Sequence, residues 1–88
     1  MAEIIKKAVA GTLESSDVYV EAEPAEKLEI SIDSAVEAQF GDAIRNSVRE
    51  VAAALGVDGA RLRVKDRGAL DCVIRARVET ALRRGMEA

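Results

Sequence analysis

Leu28 to Leu55 reads LEISIDSAVEAQFGDAIRNSVREVAAAL, and within it the spacing of apolar residues lengthens from two to three and four. Leu28, Ile30 and Ile32 alternate with Glu29, Ser31 and Asp33, the pattern of a strand with one face in water. Ser34 followed three residues later by Glu37 fits a capping box, in which the serine accepts from a free helix amide and the glutamate reaches back. Val36, Phe40, Ile44, Val48, Val51 and Leu55 then form one apolar stripe, and Gly56 offers a left-handed stop. This stretch is therefore a strand running into an amphipathic helix.

Working outward, a turn around Asp58 and Gly59 precedes a fourth strand, in which Leu62 and Val64 alternate with Arg61, Arg63 and Lys65. Its outer face is basic. Gly68 ends it, and Leu70, Ile74, Val78, Ala81 and Leu82 mark the stripe of a second helix. Upstream, Asp17 to Ala22 sets Val18, Val20 and Ala22 against Asp17, Tyr19 and Glu21, a second half-buried strand. Lys6 to Leu13 is a less regular first strand; the reading puts Val9, Gly11 and Leu13 on its inner face, with Gly11 as a bulge or close backbone approach. Glu23 to Glu26, with the only proline, turns the chain between the second and third strands.

The order strand, strand, strand, helix, strand, helix predicts an α+β fold, a four-stranded mixed sheet with both helices packed on one face. A helix joins the third and fourth strands, so they are expected to run parallel through a right-handed crossover, with the first three as an antiparallel meander. Whether the fourth strand lies beside the third or the first is left open by the pattern.

Residues 1–88 read as one small domain, without repeat or linker. Apolar residues make up 49% and charged residues 33%, the balance of a globular chain whose core is built from Val, Ile, Leu and Ala. Tyr19 and Phe40 are the only aromatics and the net charge is −3, which argues against nucleic acid as a partner. The chain has no histidine and a single cysteine, Cys72, so Cys/His zinc sites, an internal disulfide and His-activated nucleophiles are excluded. No residue is read as catalytic and none as a metal ligand. Met1 to Ala10 lacks the apolar run of a signal peptide and no stretch is long enough for a bilayer, so the expectation is a cytoplasmic protein without a membrane partner.

Between the first two strands lies Gly11-Thr12-Leu13-Glu14-Ser15-Ser16-Asp17, a polar hairpin tip by residue type alone. A serine there has no visible base, yet exposure suits it as the substrate of a modifying enzyme. With Gln39 to Arg45 (QFGDAIR) and Arg67 to Arg77 (RGALDCVIRAR), GTLESSD resembles the acyl carrier subunit family of citrate lyase, and the resemblance runs from about Val9 to Arg77. It implies that Ser15, and not Ser16 at the variable position, bears a covalent 2′-(5″-phosphoribosyl)-3′-dephospho-CoA arm through a phosphodiester. The thiol of that arm would hold acetyl and citryl thioesters while citrate is cleaved to oxaloacetate and acetate. The implied partners are the acyltransferase and lyase subunits and a prosthetic-group transferase, with the chain itself a non-catalytic tether.

Glu14 and Asp17 would flank the arm's phosphodiester. They are read either as docking groups for basic surfaces of those partners or as solvated turn residues. Cys72 falls on a flank of the second helix, a structural rather than a reactive thiol. Arg77 lies within the apolar stripe, its stem on the core and its head in water or paired with Asp66 or Asp71. Arg61, Arg63 and Lys65, with Arg83 and Arg84, are a solvated basic face or a docking surface. Two other functions compete: the related carrier subunit of malonate decarboxylase, and a protein-interaction module that carries nothing.

Overall fold

A computed structural model of the chain describes residues 2–34 and 37–88, with side chains throughout except at 37–39. Its elements are β1 (Ala8–Gly11), β2 (Val18–Glu23), β3 (Leu28–Ser34), α1 (Glu37–Ala54), β4 (Ala60–Asp66) and α2 (Asp71–Met86), in the order read from the sequence. Val36 and the reach of Glu37 toward Ser34 lie outside the described residues. The far end of α1 closes as expected: Gly56 is left-handed at φ +72°, and the Val57 and Gly56 amides donate to the carbonyls of Ala52 and Ala53.

The strands are ordered β1-β2-β4-β3. β3 and β4 are parallel, as the crossover through α1 requires, and β2 pairs with β4 antiparallel. The expected meander of the first three strands is therefore corrected. β1 and β2 pair, but β2 and β3 are held apart and β4 fills the space between them.

Charge explains this order. Register sets Glu21 opposite Arg63 and Glu23 opposite Arg61 on one side of β4, and Glu29 opposite Arg61 on the other. Arg61 contacts Glu23 at 3.2 Å and Glu29 at 3.3 Å, and Arg63 contacts Glu23 at 3.3 Å and Glu21 at 3.7 Å. Direct pairing of β2 with β3 would bring acidic faces together, which is destabilising. The outer face of β4 is thus the middle row of an ion-pair lattice. Arg83 pairs with Glu79 and Arg84 donates to the Val9 carbonyl on the edge strand, so the basic residues do not form one open surface.

On the other face, Val18, Val20, Leu62, Val64, Val48, Val78 and Leu82 are fully buried. α1 lies over β3, α2 lies over β1 and β2, and the helices touch each other. In β1 the expected face is reversed: Ala10 is buried and Val9 is exposed, with Ala10 opposite Val20. This short edge strand is apolar on both faces, so its alternation did not specify which one packs, and a slip of one residue exchanges them. Two members of the expected stripes also sit elsewhere. Phe40 is 52% exposed, and Leu70, at 71%, immediately precedes α2.

Candidate functional site: the turn between the first two strands

Residues 12–17 join β1 to β2 at the end of the sheet where β4 finishes. Gly11 opens the turn at φ +88°, and a Cβ at this position would stand 1.8 Å from the Val18 carbonyl oxygen. Only glycine fits such an approach. The Thr12 hydroxyl donates to Asp17 Oδ2 at 2.7 Å and accepts from the Glu14 amide at 3.2 Å. The Asp17 amide closes the turn onto the Glu14 carbonyl at 3.1 Å, and Ser16 is left-handed at φ 68°.

The turn is also fixed from outside. The Ser16 amide donates to the Arg67 carbonyl at 2.8 Å, and the Arg67 amide donates to the Asp17 carbonyl at 2.9 Å. Arg77 extends its stem across Gly11 and sets Nε and Nη2 on the two Asp17 oxygens, each at 3.2 Å. This fork supplies two parallel charge-assisted hydrogen bonds. The Thr12 hydroxyl, the Val18 amide and, more weakly, Arg77 lower the Asp17 pKa to about 2 against an opposing desolvation.

Asp17 is thus turned inward as the turn's internal anchor, whereas Glu14 and Ser15 are exposed. Among the described residues the Ser15 hydroxyl has no hydrogen-bond partner. Ser16 is also exposed, but its backbone is tied to Arg67. Arg77 meets Asp17 rather than Asp66 or Asp71, because those carboxylates are already engaged. Asp66 is 1% exposed and accepts from Ser34 and from the Gly68 and Ala69 amides. Asp71 accepts from Ser47 and Arg75, which hold its pKa below the usual value. Cys72 is exposed and unpaired on α2.

Two roles went unread in the sequence: that of the Arg67 backbone, which secures the turn, and that of Asp66, which shapes the segment behind it. The signal for Asp66 was an aspartate two residues before a glycine, a common way to order a turn through side-chain acceptance. Beside that segment, Phe40, Ala43 and Ile44 of α1 face Ala69, Leu70 and Ile74 across a cleft of about 380 Å³. Among the described residues no cluster of acidic or thiol side chains could hold a metal ion. No described helix is long and apolar enough to cross a membrane.

Residues 5–85 match the family described as ACP, Malonate decarboxylase delta subunit (MdcD). The chain is 55% identical over 84 residues to the citrate lyase acyl carrier protein of Haemophilus influenzae (strain PittEE), covering 96% of this chain and 88% of that protein. It is 49% identical over 85 residues to the citrate lyase acyl carrier protein of Treponema denticola, covering 97% and 98%. Among solved structures, one chain of a Pseudomonas malonate decarboxylase hetero-tetramer in complex with malonate superposes with a TM-score of 0.82 at 20% identity, over 96% of this chain and 88% of that one. That last likeness is one of fold, whereas the first two extend to the sequence along nearly the whole length: the chain belongs to the citrate lyase acyl carrier protein family, whose members are carrier subunits rather than catalysts.

Proposed function

We propose that Ser15 is the attachment point of a covalent phosphoribosyl-dephospho-coenzyme A arm and that the chain presents this arm to the acyltransferase and lyase subunits of citrate lyase. The observation that carries the reading is an exposed hydroxyl, without a partner among the described residues, on a turn that is otherwise braced by Thr12, Asp17, Arg67 and Arg77. The residues fit such a group. A transferase needs access to the hydroxyl, and a carrier needs a firm root beneath a flexible tether. When attached, the arm supplies the thiol on which acyl groups are carried.

Here Ser15 serves as the acceptor oxygen, Gly11 and Asp17 shape the turn, and Arg77 neutralises the Asp17 carboxylate. Glu14, exposed and without a described partner, is the carboxylate offered to a basic patch on the transferase or a catalytic subunit. Relatives about half identical are named for citrate lyase, whereas the malonate decarboxylase chain shares only 20%, which favours citrate over malonate as the pathway's substrate.

The test is intact mass measurement with fragment mapping of protein from its native complex, followed by assays with purified catalytic subunits of citrate lyase and of malonate decarboxylase. An adduct of coenzyme A type on Ser15, with citrate cleavage restored only by the modified chain, is expected. Unmodified protein in an active complex overturns the proposal.

A further inference from the structure

The cleft between the start of α1 and the segment leading into α2 has no part in bracing the turn, yet it shares a wall with it. Arg67 is bonded through its backbone to Ser16 and Asp17, and its neighbours Asp66 and Gly68 both line the cleft. Root and cleft are consequently held in a fixed relation. Phe40 and Leu70, 52% and 71% exposed, leave large apolar surfaces beside this opening.

Resting on the attachment of the arm at Ser15, we propose that the cleft docks the neutral pantetheine segment of that arm, keeping the thiol against the carrier between visits to the catalytic subunits. The lining selects that segment. It is mostly apolar, and among the described residues its charged members are Asp66 and Asp71, with no lysine or arginine. Asp71 is paired with Arg75, so the described lining offers phosphate groups and acyl carboxylates no free cation, while an uncharged chain of methyl groups and amides is accepted. The Asp66 oxygens already accept from Ser34, Gly68 and Ala69, so the floor does not demand a cation.

The volume of about 380 Å³ suits a small organic segment rather than a helix. Attachment supplies the rest. A short flexible tether holds its end at an effective concentration on the order of millimolar, so even a site of similar dissociation constant is about half filled. Such a dock retains the arm without competing strongly with the catalytic subunits.

The experiment compares backbone amide and methyl NMR spectra of the chain before and after loading, with mass mapping of the loaded residue. Free pantetheine is titrated separately into the unmodified chain. The expected result is perturbation of Ala43, Ile44 and Gly68 to Ile74 in both series. A43W, which fills the cleft from an exposed position, should make the arm thiol react about twofold faster with an aromatic disulfide reagent, the ratio for half occupancy; A69W is the second variant if A43W does not fold. Perturbation confined to residues 12–17, with free pantetheine leaving the cleft unchanged, overturns the dock. So does perturbation of the cleft only on adding a purified catalytic subunit, since the groove then receives a partner's side chain. An arm found elsewhere than Ser15 defeats the attachment reading, while the pantetheine titration still decides the cleft.

Discussion

Asp17 shows how a single residue is read differently by sequence and by structure. In the chain it is one of two carboxylates beside a serine; in the fold it accepts from Thr12, Val18 and Arg77 at once. Its pKa of about 2, against 3.8 ordinarily, sets the sign of a pH effect. Because the unfolded chain binds this proton more readily, the stability contributed by ionised Asp17 is present above pH about 4 and is lost as pH falls toward 2. Acid denaturation followed by circular dichroism should show this loss, and D17N should flatten it while lowering stability at neutral pH. Gly11 gives the sharper structural test. G11A forces a left-handed backbone on alanine at a cost of about 1–3 kcal/mol before the contact with the Val18 carbonyl is counted, and thermal melts should register at least that loss. The site residues were visible as types, but their partners were not, because Arg77 lies sixty positions away from Asp17.

At the scale of elements, β4 carries the clearest information that the linear reading passed over. A basic strand among acidic ones belongs between two of them, and the alternation of Glu21, Glu23, Glu29 and Asp33 with Arg61, Arg63 and Lys65 encodes that placement. Each strand alone shows its inner and outer faces but not this relation. R63E would set a third acid beside Glu21 and Glu23 and should cost about 1 kcal/mol in chemical denaturation, with the loss shrinking in salt. The helices are clasped by polar groups as well as by their stripes: buried Ser47 of α1 donates to Asp71 of α2, and Arg75 bridges Asp71 and Glu50. Loss of this hydroxyl in S47A should lower stability by about 1 kcal/mol in the same assay, the scale of one net hydrogen bond.

For the whole molecule, bracing and carrying are separable. S15A removes an exposed hydroxyl without a described partner, so its unfolding midpoint should match that of the parent within the roughly 0.5 kcal/mol typical of surface changes. The adduct should nevertheless vanish from its mass spectrum, and S16A should keep it. The sequence by itself determined the element order, the βαβ crossover, the apolar faces of β2, β3 and β4, and a polar turn with its exposed serine, because periodicity and turn chemistry act over neighbouring residues. Only the tertiary structure decided the insertion of β4 between β2 and β3, the packed face of β1, the Arg77–Asp17 fork and the cleft beside Arg67. Each of these is set by groups distant along the chain, whose charges and shapes meet only when the sheet and helices assemble.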